Sequence, residues 1–437
     1  MDPITFTISL GASGVGGGGY WISETSASDD IYLRGVKTDS SGDVYAAGYI
    51  NTAARKGYVL KLNGGAGSSN WQRSIVGSSG TNLQKKFDFK TLSLDSSDNL
   101  FVAGDAPGGY DNSALFPNSG NSATYAKTFS SSVSRDDRFE ASASDGSGNS
   151  YAGGAHFADS STYNTGHLVK YNSSGTQQAQ KSIISSSSRY DIIRGLDIDS
   201  SGNIYVSAET DGITGHLGKY KPVVMKLTSS FGVTWQKFLT VSVQFAGAYD
   251  IAVDSSGNVY QCSTNNISYS QKGTLIKYNS SGTFQWYVYF DTSFTADQYS
   301  QMSVAIDSAD DIYTAGYRST KGVISKFDSS GTEDWSLEIT HSSDSVSFYD
   351  VAIDDEDNVI ATGNVGTEGL VIKLPSDGSI TGTYGSYTIA SSTISDSKVT
   401  SATTGNATLS ISNETISDSS PSVTDSTESY TFSTETL

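Results

Sequence analysis

One short phrase, an aspartate-led tight turn followed by a β-type run, returns along the whole chain and constrains the fold more than any other feature. It reads DSSGDVYAAG at Asp39, DSSDNLFVAG at Asp95, DGSGNSYAGG at Asp145, DSSGNIYVSA at Asp199, DSSGNVYQCS at Asp254 and DSADDIYTAG at Asp307. A seventh copy, DEDNVIATG, stands one residue displaced at Asp354–Asp355. The leading aspartates at 39, 95, 145, 199, 254, 307 and 354 are therefore 56, 50, 54, 55, 53 and 47 residues apart. Asp and Ser side chains cap their own turn backbone, Gly supplies positive φ, and the apolar run that follows favours a strand. A period near 50 residues suits one four-stranded propeller blade. The expectation is an all-β, seven-bladed β-propeller closed by an N-terminal strand, with a Ser/Thr-rich C-terminal tail.

Within the fifth unit, Asp250–Val253 is expected as inner strand A, Asp254–Gly257 as a turn and Val259–Ser263 as strand B. Thr274–Tyr278, a second turn at Asn279–Gly282 and Phe284–Tyr289 complete the unit as strands C and D. Lys61, Lys170, Lys226, Lys277, Lys326 and Lys373 share one strand C position, with Phe116 at that place in the second unit. These lysines are expected as rim charges that discourage outward strand pairing. Trp71, Trp235, Trp286 and Trp335 follow on strand D, where Tyr125 and Ala179 stand in the second and third units, and inter-blade packing is their expected role. The seventh unit lacks such a residue, while Trp21 precedes Asp39 by 18 residues, so the N-terminal segment is expected to supply its missing strand.

Residues 1–19 read as a Gly-rich leader, 20–375 as the propeller and 376–437 as a tail or anchor. Residues 391–437 hold 25 Ser or Thr and one base, Lys398, a composition that resists packing on its own. TLSISNETIS and SYTFSTET nevertheless alternate with period two, which anticipates strands added to a partner on assembly.

A net charge of −19 leaves no basic stripe for phosphate, so a nucleic-acid partner is not expected. The start MDPITFTISLGASG has no basic n-region, and no apolar stretch is long enough to span a membrane. The single Cys262 rules out an internal disulfide and is expected as a buried thiol. The N-x-[ST] triplets at Asn172, Asn266, Asn279, Asn406 and Asn413 follow from the abundance of Ser.

Loops between strands B and C vary in length and sequence, so their face is the expected binding face. Tyr110, Tyr163, Tyr220 and Tyr269 lie in those loops and are the candidate ligand- or partner-binding residues, by stacking on sugars or seating a protein. No catalytic residue, cofactor or metal is expected. The Asp-rich turns lack a complete D-x-D-x-D-G calcium spacing, and His156, His167, His216 and His341 are too dispersed for zinc, the first three falling in or beside loops.

The phrases GLDIDSSGNIYVSA and IAVDSSGNVY…TLIKYNSSGTFQW resemble NHL and bacterial SBBP propeller repeats over about residues 20–374. The YWI near the start and KLPSDGSITGTYG also resemble propeller-bearing virion proteins of marine tailed phages, cyanophages especially. That resemblance implies a non-enzymatic structural protein on the capsid or tail, with other virion proteins and a host surface glycan as partners. The alternative is a propeller enzyme, such as a polysaccharide lyase or a quinone-type oxidoreductase, with His, Arg and Tyr converging in the central funnel.

Overall fold

The computed structural model describes residues 4–9, 19–26, 29–52, 55–77, 87–106, 110–116, 120, 123–129, 137–156, 164–185, 190–212, 220–240, 246–267, 270–290, 303–392, 396–401, 403–406, 410–413, 418–419, 423–427 and 431–435. These residues form seven sheets, and every regular element among them is a β-strand. The innermost strands are Ile31–Thr38, Asp88–Leu94, Arg138–Ser144, Asp191–Ile198, Ala246–Val253, Ser303–Ile306 and Val346–Ile353. Each packs against the next, and the last packs against the first. This radial circuit of antiparallel sheets is a β-propeller.

The repeated phrase is explained residue by residue. In the fifth sheet Asp254 Oδ1 accepts the Ser256 and Asn258 N–H groups at 3.0 and 2.8 Å. Its Oδ2 accepts Asn258 Nδ2 at 2.7 Å and the Tyr260 hydroxyl at 3.0 Å. One carboxylate thus ties the turn to the strand that leaves it. In the seventh sheet Asp354 makes the corresponding bonds to Glu356 and Asn358, so its copy is in register with the others rather than displaced.

Where most copies place a glycine at positive φ, three have Asp98, Asp310 and Asp357 at φ 59°, 64° and 62°. Each reaches the serine of the preceding turn: Ser40, Ser255 and Ser308 donate Oγ–H to them at 2.7 Å. The strain of the left-handed residue is offset by this inter-sheet clasp.

The strand C lysines are not rim charges. Lys61 is 8% and Lys373 3% exposed, and each lies 2.7 Å from its turn carboxylate, Asp39 or Asp354. Lys61, Lys170, Lys226, Lys277 and Lys326 also sit 4.9–5.1 Å above the ring of the phrase tyrosine. Charge pairing and cation–π attraction hold them inward. In the second sheet the equivalent position opposite Phe101 and Tyr125 belongs to Leu115, not Phe116.

The strand D aromatics pack between sheets. Trp71, Trp235, Trp286 and Trp335 lie on the turn glycines of the following sheet, Gly120, Gly282, Gly331 and Gly378, where a Cβ would come within 2.8 Å of the indole. Trp21 does the same against Gly67. Strand Trp21–Ser26 pairs antiparallel with Glu368–Leu374, with Trp21 opposite Lys373. Cys262 is buried at 0% exposure, and burial pushes its thiol pKa well up.

The C-terminal segment adds strands, and they pair with this chain's own sheets. Tyr387–Ser391, Asp396–Val399, Thr403–Asn406, Ser410–Asn413, Asp418–Ser419 and Val423–Thr427 pair with the outer strands of the sixth, fifth, fourth, third, second and first sheets in turn. Thr431–Glu435 then pairs parallel with Ile4–Ser9, which lies outside Trp21–Ser26. The segment is a belt that runs round the ring against the order of the sheets. Strands begin at 396, 403 and 410, seven residues apart.

Candidate binding site at the mouth of the central channel

The inner strands enclose a channel of about 950 Å³. Its geometry comes from a β-bulge repeated in five of these strands. Pairing skips one residue at Arg34, Lys90, Glu140, Arg194 and Tyr349. In the fifth sheet it skips Tyr249 and Asp250 together. A bulge re-aims its extra side chain, and all of these residues line the channel. The glycine that closes the repeated phrase answers the bulge: a Cβ at Gly48, Gly104 or Gly363 would lie 1.8–1.9 Å from a carbonyl oxygen of the facing strand.

The bulges lie toward the start of each inner strand, so this mouth opens on the face of the variable loops. Its charges are joined across sheets. Arg55 and Lys90 lie 2.8 and 3.2 Å from Asp88, and Lys90 lies 3.6 Å from Asp105. Arg138 and Arg194 share Glu140 at 2.8 and 3.3 Å, and Arg194 reaches Glu209 at 3.7 Å. Burial pushes the Asp105 carboxyl up to about 6 and raises Glu209 as well. Arg34 has aromatic company instead. Its guanidinium stands 4.1 Å from the Tyr349 ring centroid and 5.8 and 5.9 Å from those of Tyr32 and Tyr49.

Deeper in the channel, polar groups fasten one sheet to the next. Asp197 accepts the Val253 N–H at 2.8 Å, Asp250 that of Val304 at 3.0 Å, and Asp350 that of Val36 at 2.8 Å. Ser303 Oγ lies 2.6 Å from both Asp250 and Asp350. A hydroxyl has one proton to give, so one of these contacts carries a carboxyl proton. Burial and the neighbouring Asp350 raise the Asp250 pKa. Burial pushes Asp197 up to about 6. Burial opposes the charge of Lys37, yet Asp350, Asp250 and Asp197 together hold its pKa above the ordinary value.

Among the four candidate tyrosines, Tyr163 and Tyr269 lie outside the described residues. Tyr110 begins strand Tyr110–Phe116, opposite Ala106. Tyr220 packs beside Tyr190, their ring centroids 6.3 Å apart, and is half-buried. Tyr220 is not among the residues that line the channel. His156 and His167 are not loop residues but face each other across strands Ser150–His156 and Thr165–Tyr171, with ring centroids 5.2 Å apart, buried at 1% and 0% exposure. The mouth residues went unrecognised, although a signal existed: Arg34, Lys90, Glu140, Arg194, Tyr249 and Tyr349 all stand five residues before a turn aspartate. Among the described residues no group of three or more His, Cys, Asp or Glu is placed to hold a metal ion. No described helix is long and apolar enough to cross a membrane.

No protein-family model matches the chain, and no curated protein matches it. Solved structures resemble it at low identity. The β-propeller domain of the Trilobed protease from Pyrococcus furiosus aligns with 79% of this chain and 95% of its own, at 10% identity and a TM-score of 0.45. A europium-containing methanol dehydrogenase aligns with 83% and 84%, at 9% identity and 0.42. Drosophila Plexin A in complex with Semaphorin 1b aligns with 79% and 85%, at 8% identity and 0.41.

Proposed function

We propose that this chain is a non-enzymatic recognition propeller of a phage particle, on the capsid or tail, that turns its variable-loop face outward to a host surface glycan. The observation that carries the recognition reading is the channel mouth on that face, a cavity of about 950 Å³ lined by cationic and tyrosine side chains. A polar ligand fits better than an apolar protein surface, since Val233 is the one large apolar side chain that stands exposed among the described residues. Tyr110, Tyr163, Tyr220 and Tyr269 would extend the contact outward from the mouth. The phage setting rests on the likeness of YWI and KLPSDGSITGTYG to virion proteins. Attachment to other virion proteins would fall at the rim of the seventh sheet, where Ile4–Ser9 and Thr431–Glu435 lie side by side. The propeller form supports this role by presenting a rigid platform.

Imaging of particles labelled with an antibody to this chain, with the pure chain applied to a glycan array, tests the reading. Label on particles and retention of host glycans are expected; absence of both overturns it. A polysaccharide lyase is the second reading, favoured by the convergence of Arg138, Arg194, Tyr249 and Glu140 in the mouth. Release of unsaturated sugars from a uronate polymer would establish it in place of the first.

A further inference from the structure

We propose that Arg34 is the anion-binding centre of the channel mouth and that it receives the carboxylate of an acidic sugar. The inference deepens the recognition reading and rests on it.

The other mouth cations are committed. Arg55, Lys90, Arg138 and Arg194 all have carboxylates within 2.8–3.3 Å, in pairs that bridge neighbouring inner strands or their own sheet. Among the described residues Arg34 has no carboxylate at ion-pair distance. It hydrogen-bonds the Tyr49 side chain and stacks on Tyr349, and its Nε is buried with no acceptor. A guanidinium carries five donors in a rigid fork that matches a carboxylate, and leaving a buried one unmatched is costly. Arg34 also sits at a bulge, which aims it into the cavity rather than the sheet.

The surroundings select what bears the anion. Tyr249, Tyr317 and Tyr349 line the cavity, and such faces pack on sugar rings while their hydroxyls reach sugar hydroxyls. A volume of about 950 Å³ admits one or two pyranose units. Glu140 and Asp105 in the same wall would repel a strongly anionic polymer lying flat, but not a single carboxylate directed at Arg34.

The test is calorimetric titration of the full chain with trigalacturonate, neutral trigalactose and a sulfated galactose trisaccharide. Binding of trigalacturonate at least tenfold tighter than of trigalactose, with at least a tenfold loss in Arg34→Gln and a partial loss in Arg34→Lys, is the expected result. Arg34→Gln removes an unmatched charge, so its melting temperature should hold or rise; a variant that unfolds is replaced by Arg34→Lys, judged on its partial loss, with unchanged trigalacturonate affinity overturning the site. Preference for the sulfated ligand overturns the carboxylate assignment. Equal affinity for the neutral and acidic sugars, or trigalacturonate affinity unchanged in Arg34→Gln, overturns the site. If array glycans are then still retained and lost in Tyr220→Ala, the recognition reading stands with the loops, not Arg34, as its seat. Retention of no glycan by any protein removes both.

Discussion

At the scale of single residues, the ring carries a compensating exchange. Every described strand D aromatic from Trp21 to Trp335 lies on a turn glycine of the following sheet, but the third sheet has Ala179 at that position. The next turn answers with Phe231 in place of glycine, at φ 66° and 3% exposure, its ring edge-on to Tyr151 at 6.1 Å. Space lost on one side of the interface is refilled from the other. Phe231→Gly alone should lower stability by about 2–4 kcal/mol, since a lost core aromatic costs roughly 3–5 and relief of the left-handed strain returns roughly 1. Ala179→Trp in that background should restore most of it, and a double-mutant cycle from denaturant midpoints reads the coupling. Independent effects would refute the exchange.

The channel carboxyls give a second residue-level expectation. Asp197 has its pKa raised to about 6, so the native state holds that proton more tightly than the unfolded chain. Its contribution is fully present below the ordinary carboxyl pKa and is lost as pH rises toward about 6. The size is about 3 kcal/mol, for roughly two units at about 1.4 kcal/mol each. Asp197→Asn should flatten the fall in stability across that window, as read by unfolding midpoints from pH 4 to 7; an unchanged slope would locate the dependence elsewhere.

At the scale of elements, the strands themselves were legible and their side-chain partners were not. The phrase at Asp39 reveals strands because turn chemistry and alternation are local. Lys61 reads as a surface charge because its partner, Asp39, is the same aspartate that caps the turn, and nothing local says that one carboxylate serves both. The tail conceals a regularity of another kind. Leu409, Ile416, Val423 and Tyr430 stand seven residues apart, the spacing of the strand starts at 396, 403 and 410, whereas its Ser/Thr content reads as disorder. The channel mouth is hidden for the opposite reason, since its residues occupy a position of the repeat that changes from Arg34 to Lys90, Glu140 and Tyr349.

Two deletions test the elements. Removing residues 1–26 takes away the strand opposite Lys373 and the indole on Gly67, and should lower the melting temperature by several degrees with a gain in self-association. Melting like the full chain would refute that role. Removing residues 393–437 bares the outer edges that the belt strands cover, and light scattering should detect concentration-dependent association; a monodisperse truncated chain would mean that the edges protect themselves.

At the scale of the whole molecule, the two faces of the ring do different work. On one face, turns such as Asp254–Gly257 and the serine–aspartate clasps spend their polar groups on the fold itself. On the other, bulges in the inner strands set a cluster of cations and tyrosines at the mouth of a chain whose net charge is −19. Cations and carboxylates alternate round this lining, so a small anionic group directed at Arg34 is favoured over an extended polyanion. The belt and the channel carboxyls hold the ring from outside and inside, so that this mouth keeps its shape.

Amide hydrogen exchange of the full chain, with and without host surface polysaccharide, tests this division of faces most directly. The account predicts added protection in peptides that begin the inner strands, around residues 31–36, 138–141, 191–196 and 346–351, and no change at the aspartate-led turns. Protection confined to those turns or to the belt would contradict it.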